Sequence, residues 1–415
     1  MLKKTLVAAV CASAAALASA HQGNVPNSTF GHLDHVFLIM MENHSAAEII
    51  GSSNPATPFL NAYARQANLA ANYWAVGHPS LTNYLEVVGG SNFGVIDDYW
   101  PDWTNGGCVD HNPSGSGCGG AVRPISGVGL DYGFPATVDA CQQPWFAQLG
   151  PLPQCATAGN GSAVVANNWG IVDYSTPQTY TARTIAHQLA AEGRTWRSYQ
   201  QSLPQIGSPV DGVNYSDGSF SNLSQVSAWQ IGGKNVTVQN RYAVKHNPFV
   251  YFADVQIGSA GSGLSLEQTV DFDGPRGLFA DLARGTAPNF AFIVPDQCHD
   301  MHGKGGGTAQ CSDDTHLLEM GDAQVEKLVH AIKASPSWMD GRNVIIVMWD
   351  ENDYGNYGNQ VAVIVDTNYG QHGVVSGQQY NHYSLTRTLQ AGLRLPCLNH
   401  ACDSSTTIMS DLFAK

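Results

Sequence analysis

Continuous apolar runs recur along the chain and predict buried β-strands. The clearest are His35–Met41, 289–294, Asn343–Trp349 and 360–365. A run of this length without polar alternation is typical of a strand that is covered on both faces, as in a parallel sheet. Two further segments, 195–199 and 248–253, also read as strands.

Segments with helical spacing of apolar residues lie between these runs. They are predicted at 58–70, 81–88, 181–193, 277–284, 317–335 and 382–392. Apolar strands that alternate with helices indicate an α/β fold with a largely parallel central sheet and helices on both of its faces.

Two regions interrupt this alternation. Residues 97–168 are dense in Gly, Pro, Cys and Trp and show little periodicity, which predicts a disulfide-rich insertion. Residues 207–240 are polar and rich in Gly, Ser and Asn, so we expect a loop or a small meander there. Neither region carries a core pattern of its own, and we expect a single domain over 21–415.

The first twenty residues have the pattern of a secretory signal peptide. Lys3 and Lys4 precede a short apolar stretch, and Ala18-Ser19-Ala20 supplies small residues at the expected cleavage site. No later stretch is apolar over enough residues to span a bilayer. The sequence therefore predicts a bacterial protein that is secreted or periplasmic.

The charge balance excludes partners that are bound through bulk positive charge. The chain has 19 Lys and Arg against 33 Asp and Glu, a formal net charge of −14, and loss of the leader would remove two more lysines. Such a protein is a poor candidate for binding nucleic acid or anionic membrane. A phosphate group would have to be bound locally, by a metal or by a few donors.

The cysteines predict local disulfides. The chain has nine, and Cys11 lies in the leader, which leaves an even number in an oxidising compartment. Short separations favour four pairs, although the sequence alone leaves the connectivity open: Cys108–Cys118, Cys141–Cys155, Cys298–Cys311 and Cys397–Cys402.

A serine at a predicted helix start is the first candidate for chemistry. Ser80 follows Pro79 and opens the segment that ends at Gly89-Gly90. Free backbone N–H groups and the positive end of the helix dipole make such a position favourable for an anion. Taken alone, a serine at this position is more often a simple helix cap than a catalytic residue.

Polar residues of metal-ligand type follow two of the predicted strands. Glu42-Asn43 comes after His35–Met41, and Asp350-Glu351 comes after Asn343–Trp349. The carboxyl ends of parallel strands meet at one edge of a sheet, where binding sites gather. Carboxylate and amide oxygens there would suit a hard divalent cation. Either pair alone could be a solvated loop or a helix cap.

Seven segments resemble, in the same order, those of the phosphoesterase family that joins acid phosphatases and non-haemolytic phospholipases C, a branch of the alkaline phosphatase superfamily. They spread from residue 36 to 396 and are VFLIMMENHS, GHPSLTNYLEVVGGS, TWRSYQQSLP, KHNPFVYF, FIVPDQCHDMHG, VIIVMWDEND and NHYSLTRTLQAGLRLP. The resemblance covers most of the chain and implies an alkaline-phosphatase-like α/β fold.

The resemblance also implies the metal site and the nucleophile. Glu42, Asn43, Asp350 and Glu351 match the ligands of one divalent ion, whose identity the sequence leaves open. Ser80 matches the family nucleophile.

The remaining implied site residues are those that contact the substrate. Asn83 and His246 match groups that bind phosphoryl oxygens, and His302 matches one that protonates the leaving group. Asp300, beside His302, is assigned to the substrate side as well, and His382 either to the rim of the site or to the layer of residues that supports it.

This chain departs from the family pattern at two positions near these residues. Thr82 stands where the family usually has proline, and Met301 stands where it has glycine. We therefore expect the turn after Ser80 and the backbone before His302 to differ.

The expected function is a secreted, metal-assisted phosphoesterase that hydrolyses small phosphate monoesters through a phosphoserine, in the manner of an acid phosphatase. One alternative is a phospholipase C that acts on phosphatidylcholine-like lipids, the one case with a membrane-lipid partner. A second is a secreted binding protein that has lost catalysis. The intact set of Ser80, the Glu42–Asn43 pair and the Asp350–Glu351 pair argues against the second.

Overall fold

A computed structural model describes residues 23–51, 55–93, 98, 183–203, 229–231, 234–236, 241–256, 258, 261–303, 311–352 and 359–414. Their strands are β1 (His35–Met41), β2 (Asn68–Trp74), β3 (Trp196–Gln200), β4 (Trp229–Ile231), β5 (Lys234–Val236), β6 (Thr269–Val270), β7 (Phe290–Val294), β8 (Asn343–Trp349), β9 (Gln360–Thr367), β10 (Val375–Ser376) and β11 (Tyr380–Asn381). Their α-helices are α1 (Ala46–Ile49), α2 (Pro58–Gln66), α3 (Ser80–Gly89), α4 (Ile185–Ala191), α5 (Ala253–Gln256), α6 (Leu278–Arg284), α7 (Asp314–Lys333), α8 (Pro336–Met339) and α9 (His382–Leu393).

One large sheet organises the fold. Its strand order is β10-β2-β9-β8-β1-β7-β3-β6, and β11 also pairs with β2. Only β9 runs antiparallel to its neighbours, β2 and β8. The other pairings are parallel, which confirms the predicted α/β class with a largely parallel sheet.

The central strands are apolar throughout because they are covered on both faces. β7 and β8 are buried at every residue, and β1 at every residue after its first. Helix α2 contacts α7, and α9 contacts α3, so helices pack around the sheet. None of the described helices is long and apolar enough to cross a lipid bilayer.

Two expectations about secondary structure are wrong. Residues 248–253 are not a strand: Pro248–Tyr251 forms a 3-10 turn, and its apolar run is continuous because the turn itself is buried. The helix predicted at 58–70 ends at Gln66, and Asn68 begins β2 instead. The Asn68 side chain donates to the carbonyl oxygens of Gln371 and Leu412, contacts that a local pattern does not contain.

Two of the predicted disulfides are present. Cys298–Cys311 closes the loop after β7, and Cys397–Cys402 closes a turn after α9. The pairs Cys108–Cys118 and Cys141–Cys155 lie outside the described residues. The predicted leader also lies outside them, and so does the insertion at 97–168 except for Asp98.

Within the region predicted as a polar loop or meander, β4 and β5 pair as a two-stranded sheet.

Candidate active site

The sheet places the two predicted ligand pairs side by side. β1 and β8 are parallel, with Met41 opposite Trp349, so Glu42 and Asp350 leave the same edge together. The N–H of Asp350 donates to Met41 O at 3.0 Å, and the N–H of Asn43 donates to the Asp350 carboxylate at 3.1 Å. The two strand ends are therefore tied to each other.

The loop after β7 joins the same edge. The N–H of Glu42 donates to Asp300 O at 2.8 Å. The Asp300 carboxylate in turn accepts the backbone N–H of His302 at 2.7 Å. Residues from three parallel strand ends thus converge, as the topology predicted.

Ser80 is the first residue of α3 and does not cap it. Its hydroxyl lies 3.0 Å from Oε2 of Glu42 and 3.2 Å from Oε1 of Glu351, and only 1% of the residue is exposed. Lys245 Nζ lies 3.5 Å from the same oxygen. A hydroxyl between two carboxylates has proton acceptors within reach, which is what nucleophilic attack by serine requires.

Four carboxylates are buried in this small volume: Glu42, Asp300, Asp350 and Glu351. Burial raises the pKa of all four, and neighbouring carboxylates raise the pKa of Glu42 and Asp350 further. Such a cluster needs either protons or a positive charge to be stable.

Buried oxygen atoms without partners fit a cation. Among the described residues, Asn43 Oδ1 and Asp350 Oδ2 are both shielded from solvent and accept no hydrogen bond. A buried acceptor without a partner is costly, and a divalent metal would satisfy both atoms at once. The residues present therefore fit the metal that the sequence predicted.

A second donor set overlaps the first. One ligand-type atom each of Glu42, His246 and His302 lies within 4.8 Å of the others, close enough for these three residues to hold an ion. His246 Nε2 is 3.1 Å from Oε1 of Glu42, and its Nδ1 is 3.2 Å from Oδ2 of Asp300. Burial lowers the pKa of His246 well below its usual value, which favours the neutral imidazole.

His302 and Lys245 form the more exposed side of the site. His302 Nε2 is 3.2 Å from Lys245 Nζ, and its Nδ1 donates to Gly303 O at 2.7 Å. Burial and the charge of Lys245 lower the pKa of His302 to about 4. Burial alone would lower the pKa of Lys245, but the charges of Asp98 and Glu42 outweigh it and raise that pKa, so Lys245 is a fixed cation.

Two predicted substrate contacts are occupied by protein groups. The amide of Asn83 donates to Oε2 of Glu351 at 2.9 Å and to Gly77 O at 2.9 Å. His382 is fully buried, and its Nε2 donates to the main-chain oxygen of Asp350 at 2.7 Å. Both residues support the acidic pair in this arrangement.

Three residues near Ser80 were not among the predicted site residues. Lys245 and Asp98 form an ion pair of 2.9 Å beside it, and His78 Nδ1 lies 2.8 Å from Oε2 of Glu351. A signal existed for two of them, because His78 lies two positions before Ser80 and Lys245 immediately precedes His246. No local pattern marks Asp98.

Asn359, the residue before β9, connects two of the site loops. Its side-chain oxygen accepts the N–H of Asn352 at 2.8 Å, and its amide donates to Gly77 O at 2.8 Å. The loop that carries Asp350 and Glu351 is thereby linked to the one that leads into Ser80.

Comparison with known proteins identifies the family of the chain. The model of the Phosphoesterase family matches residues 52–396. A phosphatidylinositol-3-phosphatase of Mycobacterium tuberculosis is 23% identical over 401 residues, which cover 94% of this chain and 89% of that protein. An acid phosphatase of Aspergillus fumigatus is 22% identical over 394 residues, 93% of this chain but only 62% of the fungal protein.

A solved structure of an alkaline phosphatase superfamily protein from Vibrio parahaemolyticus aligns with 92% of this chain and 72% of its own, at 13% identity and a TM-score of 0.44. The family model itself spans most of the chain. The chain therefore belongs to the Phosphoesterase family and is a hydrolase of phosphate ester bonds.

Proposed function

We propose that the protein is an exported, metal-assisted phosphomonoesterase of the acid phosphatase type that works through a phosphoserine at Ser80. The observation that carries the proposal is the setting of the Ser80 hydroxyl. It lies at the start of α3, between the carboxylates of Glu42 and Glu351 and 3.5 Å from the ammonium of Lys245. The proposed export rests on the signal-peptide pattern of residues 1–20.

The first chemical step forms a bond between Ser80 Oγ and phosphorus. The hydroxyl proton passes to the carboxylate of Glu42 or Glu351, and the bond from phosphorus to the leaving oxygen breaks. His302 faces this side and would supply the proton that the leaving oxygen needs from its protonated form, which its lowered pKa confines to acid solution. Water then attacks the phosphoserine, releases inorganic phosphate and returns a proton to Ser80.

Glu42, Asn43, Asp350 and Glu351 would hold the divalent ion, as their buried oxygen atoms suggest. When bound, such an ion would lower the pKa of the Ser80 hydroxyl and neutralise charge on a phosphoryl oxygen. Asn83, His78 and His382 keep the acidic pair in place through the contacts described above.

The name of the mycobacterial relative supports a second substrate within the same chemistry. A phosphatidylinositol-3-phosphatase removes a monoester phosphate from a lipid head group, so the bond broken is again a phosphomonoester. A phosphoinositide therefore belongs in the substrate panel, beside small soluble monoesters.

The test is a substrate panel on one preparation of known metal content. It contains 4-nitrophenyl phosphate, bis(4-nitrophenyl) phosphate, a short-chain phosphatidylinositol 3-phosphate and phosphatidylcholine micelles. We expect fast release of phosphate from the monoesters and slow hydrolysis of the two diesters. A phosphatidylcholine rate above the monoester rate would establish a phospholipase C, and no turnover of any substrate by the metal-loaded protein would contradict the proposed phosphomonoesterase.

The Ser80→Ala variant tests the nucleophile in the same panel. It should lose turnover while keeping its metal and its thermal stability, and acid quenching of the wild type should trap one phosphoryl group on the peptide that contains Ser80. Wild-type turnover by Ser80→Ala would refute the phosphoserine.

A further inference from the structure

Asp98 contacts two donors that lie beside the candidate nucleophile. One oxygen of its carboxylate accepts the backbone N–H of Leu81 at 3.0 Å, and the other lies 2.9 Å from Lys245 Nζ. Leu81 is the residue after Ser80, so its N–H is one of the free N–H groups of the first turn of α3. Through these two donors, the Asp98 carboxylate is bound to the residue that follows Ser80 and to the lysine that lies 3.5 Å from the Ser80 hydroxyl.

These two donors are of the kind that binds a phosphoryl oxygen. A helix-start N–H carries a partial positive charge, and a lysine ammonium is a full point charge. The other neighbours of the Ser80 hydroxyl are the carboxylates of Glu42 and Glu351, which would repel a phosphate. Lys245 is the only cationic side chain that the described residues place against that hydroxyl.

Lys245 also reaches the other proposed participant. Its Nζ lies 3.5 Å from Ser80 Oγ and 3.2 Å from His302 Nε2, so it stands between the attacking group and the proposed proton donor. Its side chain is 17% exposed, against 31% for Asp98, so the ion pair lies on the solvent side of the buried serine.

We propose that Lys245 and the N–H of Leu81 bind the phosphoryl group of the substrate, an inference that rests on the proposed function. Asp98 occupies these two donors until a phosphoryl group displaces it. In this arrangement Asp98 is a carboxylate substitute for the substrate anion. It keeps Lys245 paired and correctly placed in the resting enzyme.

The proposal makes Lys245 a determinant of substrate class. The phosphoryl group of a monoester carries up to two negative charges and that of a diester only one. A fixed cation therefore stabilises the monoester more, in its bound state and in its transition state. The ratio of monoester to diester activity should depend on this residue.

The first experiment compares Lys245→Met with Lys245→Arg and with Lys327→Met. Lys327 is an exposed residue of α7 whose loss removes the same charge far from the site. For Lys245→Met we expect kcat/KM for 4-nitrophenyl phosphate to fall about 100-fold or more, which is the usual loss when one oxyanion donor is removed. The rate with bis(4-nitrophenyl) phosphate should fall far less.

Lys245→Arg should keep most of the monoester-to-diester ratio, and Lys327→Met should keep both rates. Damage to the fold would lower both rates together and leave the ratio unchanged. An unchanged ratio in a folded Lys245→Met protein with normal metal content would overturn the proposal for Lys245.

The second experiment measures inhibition by inorganic phosphate in Asp98→Ala and Asp98→Asn. Both variants remove the competing negative charge, so the phosphate inhibition constant should fall, by about 10-fold for one lost charge pair near the surface. A higher inhibition constant in both variants would mean that Asp98 only positions Lys245, and it would refute displacement.

These outcomes are separable from failure of the phosphoserine. If Ser80→Ala keeps wild-type turnover while Lys245→Met changes the ratio, the nucleophile assignment fails and the phosphoryl-binding role of Lys245 stands. If Ser80→Ala is inactive and Lys245→Met leaves the monoester-to-diester ratio unchanged, the nucleophile assignment stands and the phosphoryl-binding role of Lys245 fails.

Discussion

The imidazole of His382 bonds to the main chain of Asp350. Its Nε2 donates to the Asp350 carbonyl oxygen at 2.7 Å, while its Nδ1 accepts the Tyr73 hydroxyl at 3.0 Å. The sequence left two positions open for this histidine, the rim of the substrate site or the layer of residues that supports it, and the structure has it fully buried behind a proposed metal ligand. Its role in this geometry is to fix the position of Asp350.

His382→Ala should therefore weaken metal binding and activity together, by about 10- to 100-fold, as is usual when a partner of a ligand is lost. Excess metal should restore part of the rate. His382→Gln, whose amide can still donate to the Asp350 oxygen, is the matched control and should lose less. A His382→Ala protein with normal metal affinity and a raised KM would instead indicate direct substrate contact.

The metal content of two variants decides between the two donor sets. If one ion is bound by the Glu42–Asn43 and Asp350–Glu351 pairs, Asp350→Ala should lose both the ion and activity, because it removes Asp350 Oδ2, a buried oxygen atom that accepts no hydrogen bond. His302→Ala should then keep the ion and lose rate only. Elemental analysis after gel filtration gives the metal-to-protein ratio. The opposite pattern would favour the set of Glu42, His246 and His302.

Gly321 in α7 should resist substitution by alanine because of Met301. A Cβ at this position would overlap the Cγ and Cε atoms of the buried Met301 side chain. Alanine in place of glycine normally stabilises a helix by about 0.5–1 kcal/mol, but overpacking costs about 1–3 kcal/mol. We expect a net loss of about 1–2 kcal/mol in the free energy of unfolding.

The same substitution in a Met301→Gly background is the control. There the overlap is gone, and Gly321→Ala should be neutral or stabilising. Denaturant unfolding of the four proteins in this cycle measures the coupling directly. Additive effects of the two substitutions would show that the two side chains do not meet.

His187 should make the protein less stable in acid. Burial, and secondly the charge of Arg183, lower the pKa of His187 from 6.5 to about 4, although the Asp254 carboxylate lies 3.8 Å from its Nε2. Between these two values the unfolded chain takes up a proton that the folded protein does not. The contribution is complete above pH 6.5 and is lost progressively as the pH falls to about 4, up to about 3 kcal/mol.

His187→Gln should reduce that loss. Glutamine keeps the Thr-x-x-Gln pattern in which Thr184 caps α4, so the helix start should survive. An identical slope between pH 7 and pH 4.5 in wild type and His187→Gln would contradict the assignment.

The parts of the fold that the sequence predicted are those whose cause is local. β1 and β8 have the predicted bounds, because a strand that is covered on both faces is apolar at every position and can be seen in the sequence as an unbroken apolar run. β2 was missed because NLAANYW has no such run, and tertiary hydrogen bonds from Asn68 hold it in the sheet. Pairing with β9 supplies the rest.

In the site, too, the features with a local cause could be predicted and those that depend on tertiary contacts could not. That the Glu42–Asn43 and Asp350–Glu351 pairs lie side by side could be predicted because each directly follows an apolar strand, and parallel strands share an edge. The ion pair of Lys245 and Asp98 joins residues 147 positions apart, with no pattern around Asp98 to announce it. The sequence already showed methionine at position 301, where the family pattern that the chain resembles has glycine. The structure places Met301 at a φ of +82°, a backbone region that favours glycine.

The side chain of Asn359 couples the opening of two loops of the site. Because one side chain bonds both to the Asn352 amide and to Gly77 O, neither loop can move away alone without breaking that link. We therefore expect the loop that leads into Ser80 and the loop that carries Asp350 and Glu351 to open as one cooperative unit. Hydrogen exchange should report a common opening free energy for the amides of Gly77 and Asn352, and in Asn359→Ala those two amides should exchange independently.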